Sequence, residues 1–485
     1  MQKKRVISKK PTSNGVNPNI FRVYDIRGIY PEDLNEEVVF KIAKAFCQQY
    51  PHAQKIVLSR DPRLSSPILY KAVLRALATA GREVIDIGIA PDFLFYFSIF
   101  HYGFDGGIQI SGSHLPKQYN GLTLHIRKPG KKISEDVIEE DLEKIKERVI
   151  KKEGIPSGAP KYRGKVTNFD PTQDYINFVT SKINLKKPLK IIVDSGNGAC
   201  GFLPEKVFKK LGCKVETLYG NFDGNFPHHL PDPYEEKNLL DIKNKVLEKK
   251  ADLGLAFDTD GDRVAPINNR GQRISGDDCL LMLAREVLQK KKGPIVHCMR
   301  ISKAFLDEMQ ERGVKTYFSV SHHNAVIEKI SETGAVFGGE ITYHFLFPLD
   351  YYLCDEAIFS SLKLAEIASQ HENLANYVDS LPRYFASPEV FIKSTDEEKF
   401  EIIANLQKYL KENNFDFINI DGARINFPHG WALARASNTS PLIKCRFEGE
   451  TQQNLIDIEK KALKIFKKAG IPITKKTYEE LGLKE

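Results

Sequence analysis

The sequence lacks closely spaced cysteines. Seven cysteines are scattered singly among 485 residues, and no two of them form a C-x-x-C motif. This spacing argues against a zinc site and against a disulfide framework, both of which need grouped cysteines. An odd number of unpaired thiols is typical of a reducing compartment, and we therefore expect a cytoplasmic protein.

Long hydrophobic runs are also absent. The sequence contains no run of 18 or more apolar residues, so we expect no transmembrane helix and no membrane partner. Five of the first ten residues are Lys or Arg, but no apolar segment follows them, which argues against a secretory signal. We interpret residues 1–19 as a basic tail.

Strong charge of one sign is missing as well. The net charge of +8 is a modest excess for a chain of this length. Aromatic residues are not interleaved with the basic ones, as they are in proteins that bind single-stranded nucleic acid. We therefore predict no nucleic-acid partner, and the residues imply no obligate protein partner. A modest positive excess also suits a phosphorylated metabolite.

The sequence does contain a regular alternation of strand-like and helix-like segments. Short apolar runs such as KIVLS (55–59), LKIIVD (189–194) and PIVHCM (294–299) alternate with segments of helical periodicity. This alternation predicts α/β units with covered sheets. Each of these three strands leads into a polar or Gly-containing turn and then a helical run, which indicates three similar modules.

The strongest local signal is the acidic motif FDTDGDR (257–263), which directly follows a predicted strand. Its aspartates Asp258, Asp260 and Asp262 alternate, so their carboxylates can converge on a hard cation, and oxygen-only ligands suit Mg²⁺. An EF-hand is excluded because Arg263 stands where that loop needs glycine. A solvated acidic turn is the alternative interpretation.

A second segment, ISGSHLPKQYNGLTLH (110–125), would present Ser113 and His114 at the tip of a turn. A serine is a poor nucleophile and needs a base, a metal or prior phosphorylation to take part in group transfer. A simple turn remains the alternative for this loop.

Two further segments carry polar residues at regular spacing. In GGEITYHFLF (338–347), three side chains alternate along a segment that we expect to be extended, where they could share one face and bind sugar hydroxyls: Glu340, Thr342 and His344. In RASNTSP (435–441), one cation and several hydroxyl or amide donors suit a phosphate dianion. The alternatives are a polar strand end and an ordinary polar turn.

One motif points elsewhere. GNGACG (196–201) matches G-x-G-x-x-G, follows a strand, and has Glu216 twenty residues after Gly196. These features are typical of a dinucleotide-binding turn, so a nicotinamide-dependent dehydrogenase is a rival interpretation. It leaves the three aspartates, the Ser-His loop and the Arg435 loop unexplained.

Taken together and in this order, the motifs resemble the α-D-phosphohexomutase superfamily, most closely its phosphomannomutase/phosphoglucomutase branch. The resemblance runs from FRVYDIRG (21–28) to RASNTSPLIKCRFEG (435–449). That family carries a similar Asp-x-Gly-Asn-Gly turn where no nucleotide binds, which removes most support for the dehydrogenase. The resemblance implies an α/β fold with four domains around a central cleft, three related α/β domains and a smaller C-terminal α+β domain.

The expected domain boundaries combine this family plan with the composition. After the basic tail, we expect a phosphoserine-loop domain at 20–160 and a metal-loop domain at 161–264. A sugar-loop domain at 265–378 and a phosphate-loop domain at 379–485 would follow.

The resemblance also implies roles for individual residues. Ser113 would be the phosphoserine and, with Asp258, Asp260 and Asp262, would bind Mg²⁺. The residues implied to bind substrate are Tyr24, His114, Arg263, Arg300, His323, Glu340, Thr342, His344, Arg435, Ser437, Asn438 and Thr439. Where relatives place a Lys suited to general acid/base work, this chain has Thr123. Our hypothesis assigns that work to Arg27, His344 and Lys117.

The implied activity interconverts hexose 1-phosphate and 6-phosphate, of mannose, glucose or both, through a 1,6-bisphosphate intermediate. Mg²⁺ would be the cofactor, glucose 1,6-bisphosphate the activator, and a mobile fourth domain would let the intermediate turn. Three alternatives stay open: a phosphoglucosamine mutase, a phosphatase with an aspartate nucleophile, and a non-catalytic sugar-phosphate-binding protein. The preferred hexose is not specified by the sequence.

Overall fold

The computed structural model describes residues 15–22, 25–127, 134–151, 164–395, 398–437 and 441–483, without the side chains of residues 134–136 and of His323. The chain divides into two compact units. The first contains Met1–Ile274, Thr342–Leu346 and Asp350–Asn376, and the second contains Ser275–Ile341, Phe347–Leu349 and Tyr377–Glu485. Within the described ranges, no helix combines the length and the apolar character needed to cross a membrane.

The first domain is a mixed sheet covered by helices. Its strands are β1 (Ile26–Ile29), β2 (Lys55–Arg60), β3 (Glu83–Ile89), β4 (Gly106–Ile110), β5 (Tyr119–Arg127), β6 (Ser134–Asp136) and β7 (Val166–Asn168). Its helices are α1 (Glu36–Gln49), α2 (Ser66–Thr79), α3 (Asp92–Tyr102) and α4 (Glu139–Lys151). The strand order is β1-β5-β4-β2-β3-β7, with β6 beside β5. Because β2 is parallel to both β3 and β4, the carboxyl ends of these three strands meet at one edge.

The helical periodicity seen in the sequence is confirmed in α1. Its N-cap is Asn35, whose side-chain oxygen accepts the N–H of Val38, and its buried face includes Ile42 and Phe46. This face packs with α2 into the apolar core on one side of the sheet. The last strand, β7, pairs with β3, so it completes the first sheet although we expected residues beyond 160 to belong to the second domain.

The second domain has a four-stranded sheet in the order β11-β10-β8-β9. Its strands are β8 (Lys190–Asp194), β9 (Lys214–Leu218), β10 (Leu253–Phe257) and β11 (Val264–Asn268), and its helices are α5 (Thr172–Thr180), α6 (Leu203–Lys210) and α7 (Leu240–Lys249). We expected the segment after the acidic motif to open the third domain. Instead β11 pairs antiparallel with β10, so the acidic motif is the turn between two neighbouring strands of one sheet.

The third domain repeats the parallel arrangement. Its strands include β12 (Ile295–Cys298), β13 (Thr316–Ser319) and β14 (Phe337–Gly339), and the short strand β15 (Phe345–Leu346) follows in the chain. The helices are α8 (Gly276–Lys290), α9 (Lys303–Glu311), α10 (His323–Thr333), α11 (Ala357–Gln370) and α12 (Leu374–Asp379). Because β12 is parallel to both β13 and β14, residues that follow these strands lie at the same edge of the sheet.

The fourth domain is an antiparallel sheet with helices packed on it. Its strands are β16 (Phe385–Ala386), β17 (Val390–Lys393), β18 (Phe417–Ile418), β19 (Ala423–Phe427), β20 (Gly430–Ala436) and β21 (Leu442–Gly449). Its helices are α13 (Glu398–Glu412), α14 (Gln452–Lys468) and α15 (Lys475–Glu480). Helix α14 begins after its N-cap Thr451, whose hydroxyl accepts the N–H of Asn454, and Gly470 just beyond its end has a φ of +94°.

Candidate active site

The predicted phosphoserine lies in the turn after β4. Ser113 is 5% exposed, and its φ of +45° lies in the left-handed region of backbone conformation, which residues other than glycine rarely adopt. Its Oγ lies 3.2 Å from Nδ1 of His114. The structure thus brings together these two neighbouring residues of the predicted loop.

A buried arginine that the motif analysis missed holds this turn. Arg63 donates from Nη2 to the carbonyls of Ser113 (2.5 Å) and Leu115 (2.6 Å). Its Nε donates to Oδ2 of Asp61 at 2.9 Å, and the same oxygen accepts the N–H of Gly112 at 3.0 Å. The sequence signal for Arg63 was a polar Asp-Pro-Arg triplet directly after β2. Because β2 lies beside β4 in the sheet, residues that follow β2 lie near the serine turn that follows β4.

The acidic motif forms the turn after β10 and is joined to the serine turn by Ser111. Ser111 Oγ donates to Oδ2 of Asp260 at 2.7 Å and accepts the N–H of Ser113 at 2.9 Å. Within the acidic turn, Oδ1 of Asp258 accepts the N–H groups of Gly261 (3.0 Å) and Arg263 (3.2 Å). One serine hydroxyl therefore connects the predicted phosphoserine to the predicted metal ligands.

The three aspartates have the oxygen atoms that a cation needs. Among the described residues, one buried carboxylate oxygen of each has no hydrogen-bond partner: Oδ2 of Asp258, Oδ1 of Asp260 and Oδ1 of Asp262. Burial is the main cause that raises the pKa of Asp258 and of Asp260, and the negative charge of Asp262 is the second cause. Burial also acts to raise the pKa of Asp262, but Arg263 and then His344 lower it to about 2. Buried carboxylate oxygens without hydrogen bonds are unfavourable, although Nε of Arg263 forms an ion pair with Oδ1 of Asp262 at 3.5 Å, and an oxygen-seeking divalent cation would satisfy them.

A fourth acid lies with this group although it stands outside the motif. Asp92 is the first residue of α3, and its N–H donates to the carbonyl of Asp260 at 2.7 Å. One carboxylate oxygen from each of Asp92, Asp260 and Asp262 lies within 4.8 Å of the others. The sequence signal for Asp92 was a carboxylate shortly after the end of strand β3. Asp92 therefore adds negative charge to the candidate cation site.

The glycine-rich turn 196–201 packs against the acidic turn. The N–H of Ala199 donates to the carbonyl of Thr259 at 2.6 Å. A Cβ at Gly198 would lie 2.8 Å from that same carbonyl oxygen, and a Cβ at Gly261 would lie 2.6 Å from Sγ of Cys200. Close approach between two turns therefore explains these glycines without a bound nucleotide.

A chain of polar contacts leads away from Ser113. Arg263 donates from Nη1 to Nδ1 of His114 at 2.9 Å and from Nε to Nε2 of His344 at 2.8 Å. Nδ1 of His344 lies 3.1 Å from Oδ2 of Asp355. Because Nε2 of His344 accepts a hydrogen bond, the proton of the neutral ring lies on Nδ1, facing Asp355.

The charges along this chain act on the two imidazoles in opposite directions. The positive charge of Arg263 is the main cause that lowers the pKa of His114 well below its usual value, and burial is the second cause. Burial also acts to lower the pKa of His344, but Asp355 and Asp262 overcome it and raise that pKa. The imidazole beside Ser113 is therefore neutral at neutral pH.

The predicted sugar-binding segment is not extended. Strand β14 ends at Gly339, and residues 341–343 form a turn in which Tyr343 has a φ of +73° and donates from its hydroxyl to the carbonyl of Ile274 at 3.0 Å. The expectation of one shared face was therefore wrong, since alternation requires a continuous strand. Glu340 belongs to the second unit, whereas Thr342 and His344 belong to the first.

The proposed acid/base residues differ in their surroundings. Arg27, on β1, donates from Nη1 to the carbonyl of Ser111 and from Nε to Asp25 at 2.8 Å. Lys117 is exposed, and in the described part of the chain no hydrogen bond or ion pair joins it to Ser113. Tyr24, Asn438 and Thr439 lie outside the described residues, as does the side chain of His323.

The second unit contains a cluster of cations. Arg435, on β20, donates from Nη1 to Oδ2 of Asp421 at 2.6 Å. Nη1 of Arg300 lies 3.7 Å from Oε1 of Glu389, and Nζ of Lys444 lies 3.9 Å from Oε2 of the same residue. Lys444 is directly opposite Arg435 in the β20–β21 pair.

Lys444 was not anticipated from the sequence. Burial lowers its pKa, Glu389 opposes this effect, and Arg435 and Arg300 lower the pKa further. Like charges directly opposite each other destabilise a strand pair, so a bound anion would relieve this arrangement. Ser437, the next predicted phosphate ligand after Arg435, is buried directly after β20.

Comparison with known proteins identifies the family. Three family models described as "Phosphoglucomutase/phosphomannomutase, alpha/beta/alpha domain" match the chain: domain I matches residues 18–152, domain II matches 173–271 and domain III matches 275–385. The model of the C-terminal domain of the same family matches residues 389–465. A phosphomannomutase/phosphoglucomutase of Pseudomonas syringae is 34% identical, over 91% of this chain and 93% of that protein.

Two further comparisons agree with this match. A phosphoglucomutase of Neisseria meningitidis is 31% identical over 90% of this chain and 94% of that protein. The crystal structure of a phosphoglucomutase/phosphomannomutase family protein from Burkholderia thailandensis superposes with a TM-score of 0.86, at 30% identity, and covers 95% of this chain and 99% of that one.

The four-domain fold, the serine turn and the acidic turn define an enzyme of the phosphohexomutase class. The chain belongs to the phosphoglucomutase/phosphomannomutase family. The family resemblance, the three α/β domains with a C-terminal fourth domain, and the enzyme class inferred from the sequence are thereby confirmed.

Proposed function

We propose that this enzyme interconverts the 1-phosphate and 6-phosphate of glucose and mannose through a phosphorylated Ser113. The observation that carries the proposal is the hydrogen-bonded connection Ser113–Ser111–Asp260, which joins a buried serine to three carboxylates with unsatisfied oxygens. Phosphoryl transfer needs such an arrangement, since it depends on positioning and on neutralising the charge of the transferred group.

In the first half-reaction, the P–O bond to Ser113 Oγ breaks and a P–O bond to the free sugar hydroxyl forms. The hydroxyl proton passes to a base, and Ser113 regains a proton. The bisphosphorylated sugar then turns, and Ser113 Oγ attacks its other phosphate in the reverse sense. With glucose as the substrate, glucose 1,6-bisphosphate would thus be the intermediate, and it would also be the activator that phosphorylates the serine.

The acidic turn would hold Mg²⁺ through Asp258, Asp260 and Asp262, together with an oxygen of phosphorylated Ser113. The bound ion supplies charge neutralisation for the transferred phosphoryl group. Arg263, which pairs with Asp262 (Nε to Oδ1, 3.5 Å), fixes the turn and orients both neighbouring imidazoles.

Proton transfer is assigned to the residues around Arg263. His114 lies within hydrogen-bond reach of Ser113 Oγ and stays neutral because Arg263 lowers its pKa, so its Nδ1 can accept the hydrogen bond of the Ser113 hydroxyl once the phosphoryl group has left. His344 and Arg27 serve the sugar hydroxyl, as we inferred from the sequence. The exposed Lys117 is the weakest of the three acid/base candidates.

The remaining predicted site residues are assigned to substrate binding. Arg300, Arg435 and Lys444 would bind the phosphate that is not reacting, with Ser437, Asn438 and Thr439 as further donors. Glu340, Thr342 and His344 would bind the sugar hydroxyls, while Tyr24 and His323 would complete the substrate contacts.

A coupled assay tests this function. Glucose 1-phosphate, mannose 1-phosphate and glucosamine 1-phosphate are each offered with Mg²⁺ and a trace of glucose 1,6-bisphosphate, while inorganic phosphate release is monitored. Wild type is compared with Ser113→Ala and with Ser181→Ala, which changes an exposed serine on the surface. We expect 6-phosphate formation from glucose and mannose that is lost in Ser113→Ala alone.

The other outcomes identify the alternatives. Preferred turnover of the amino sugar would indicate a phosphoglucosamine mutase. Release of inorganic phosphate without need for the bisphosphate would indicate a phosphatase, and binding without turnover would indicate a non-catalytic sugar-phosphate-binding protein. Full activity of Ser113→Ala would contradict the assigned phosphoryl carrier.

A further inference from the structure

The turn at residues 341–343 ends in a tyrosine whose side chain is buried. Tyr343 is 2% exposed, and its hydroxyl donates to the carbonyl of Ile274 at 3.0 Å. Because the ring is buried and the hydroxyl is bonded to the main chain, the side chain offers almost no surface to a sugar. We therefore expect Tyr343 to act on a substrate through its neighbours in the turn.

The backbone conformation of Tyr343 also needs a cause. Its φ of +73° lies in the left-handed region, which is unfavourable for a residue with a bulky side chain. Such a conformation persists only where surrounding contacts enforce it, and positions of this kind are concentrated at functional sites. The hydrogen bond to Ile274 is a contact that can enforce it.

The acceptor of this hydrogen bond is attached to the second sheet. The N–H of Ile274 donates to the carbonyl of Pro266, on β11, at 2.9 Å. Strand β11 pairs along its whole length with β10, and the acidic turn connects these two strands. A short series of main-chain hydrogen bonds therefore joins the Tyr343 hydroxyl to the sheet that carries the candidate cation site.

The next residue of the chain is bonded near the other end of β11. Arg263 directly precedes β11, and its Nε donates to Nε2 of His344 at 2.8 Å. Asp355 lies 3.1 Å from the opposite nitrogen of that ring. Two consecutive residues, Tyr343 and His344, thus bond to residues on either side of one strand, Ile274 after it and Arg263 before it.

The first residue of the turn is in close contact as well. A Cβ at Gly276, the first residue of α8, would overlap with the carbonyl oxygen of Ile341. Glycine permits this approach of two main chains because it has no side chain. The main chain is therefore closely packed before Thr342 and hydrogen-bonded through side chains after it.

We propose that Tyr343 is a positioning residue for sugar recognition, whose hydroxyl fixes Thr342 and His344 relative to the acidic turn. The proposal rests on the proposed function in assigning these two residues to the sugar hydroxyls. Phosphoryl transfer depends on the distance and direction between the attacking hydroxyl and the phosphoryl group, so a fixed turn favours the reaction. The proposed cation and phosphate ligands are held by other contacts, such as those of Asp258 with Gly261 and of Arg435 with Asp421.

Kinetics and binding of Tyr343→Phe test this role, because phenylalanine retains the ring and removes only the hydroxyl. We expect kcat/KM for glucose 1-phosphate to fall about tenfold, or about 1.4 kcal/mol. By calorimetry, the affinities for inorganic phosphate and for Mn²⁺ should stay within about twofold of wild type, since neither probe has a sugar hydroxyl. A merely structural role would not separate the sugar phosphate from these two probes.

The matched control is Tyr102→Phe, which also removes one tyrosine hydroxyl. The Tyr102 hydroxyl donates to Oδ2 of Asp174 at 2.6 Å, and Tyr102 is at the opposite end of α3 from Asp92. We expect this variant to keep the kcat/KM of wild type.

Tyr343→Asn separates the hydrogen bond from the backbone conformation. Asparagine accepts a positive φ more readily than tyrosine, but its side chain is too short to take the place of the Tyr343 hydroxyl. We expect its kcat/KM to be no higher than that of Tyr343→Phe. Wild-type kcat/KM in this variant would show that the conformation alone suffices and would refute the proposal. Loss of folding in both variants, seen by circular dichroism, would mean that the hydroxyl supports the whole domain and would refute it too.

The probes separate the remaining failures. Unchanged kcat/KM in Tyr343→Phe refutes the positioning role, and so does an equal weakening of glucose 1-phosphate, inorganic phosphate and Mn²⁺ binding. If wild type binds glucose 1-phosphate but isomerises no sugar phosphate, the proposed function fails and the calorimetric affinities decide the role of Tyr343. Weaker binding of glucose 1-phosphate alone in Tyr343→Phe would then support it, and equal binding would refute it.

Discussion

Replacing Asp258 with asparagine should stabilise the metal-free protein and abolish its response to Mg²⁺. Asp258 is fully buried, and its Oδ1 accepts the N–H groups of Gly261 and Arg263 while its Oδ2 has no partner. Asparagine retains the carbonyl oxygen that accepts both N–H groups. Its amide group replaces the unsatisfied oxygen and removes one of the mutually repelling charges.

The magnitude follows from the atoms involved. A buried polar atom without a partner costs about 1–3 kcal/mol, so the free energy of unfolding in EDTA should rise by about that amount in Asp258→Asn. Wild type should gain about 2.7 kcal/mol when Mg²⁺ is added to a hundred times its Kd, whereas the variant loses a ligand and should gain little. The difference in stability between the two proteins should therefore shrink as Mg²⁺ is added, and their order reverses where the rise in EDTA is below about 2.7 kcal/mol.

Thermal unfolding in EDTA and over a Mg²⁺ titration measures both effects, with Mn²⁺ binding as a second readout. The matched control is Asp170→Asn, which changes an exposed aspartate. The Asp170 carboxylate accepts a hydrogen bond from the N–H of Thr172, and the asparagine amide oxygen can accept the same bond. A lower Tm in EDTA than wild type would refute the argument about the unsatisfied oxygen. A Mg²⁺-dependent rise equal to that of wild type would refute the ligand assignment.

Three further substitutions test other charges. Asp92→Asn should weaken Mn²⁺ binding, measured by calorimetry, about 3–10-fold, because it removes negative charge beside Asp260 and Asp262; unchanged affinity would show that Asp92 does not contribute to the cation site. Lys444→Met should raise the KM for glucose 1-phosphate about 3–10-fold with little change in kcat, because a cation is lost opposite Arg435; an unchanged KM would remove Lys444 from the phosphate site. Burial raises the pKa of Glu459 from 4.5 to about 7, so the folded protein keeps a proton that the unfolded chain releases, and stability falls as pH rises between these values. Glu459→Gln should therefore raise the free energy of unfolding at pH 8, by at most about 3 kcal/mol, and change it little at pH 4.5; equal stabilisation at both pH values would contradict the assignment.

The sequence predicted those parts of the site that are local. Asp258, Asp260 and Asp262 follow a strand within five residues, and Ser113 follows another, so each motif contains its own structural context. The alternation of strands and helices likewise predicted the α/β domains, because the period of apolar residues is a short-range property. The boundaries were less accurate because β7 and β11 pair with strands of the preceding segment.

Contacts between distant segments could not be predicted in the same way. Arg63 lies fifty residues before Ser113, whose carbonyl it holds, and Asp92 lies far in sequence from Asp260. The sugar-binding segment was predicted as extended because alternating polar residues fit a strand, whereas the structure has a turn with Tyr343 at positive φ. Such backbone conformations at a non-glycine residue have no simple signature in the sequence.

The left-handed conformation of Ser113 limits which amino acid can carry the phosphoryl group. Threonine has the same nucleophilic atom, but a β-branched side chain at a φ of +45° is strained. Glycine and asparagine accept that backbone readily and have no hydroxyl. Serine is therefore the residue that combines a hydroxyl with tolerance of this turn, and threonine in its place would be a poor phosphoryl acceptor even with every neighbouring residue unchanged.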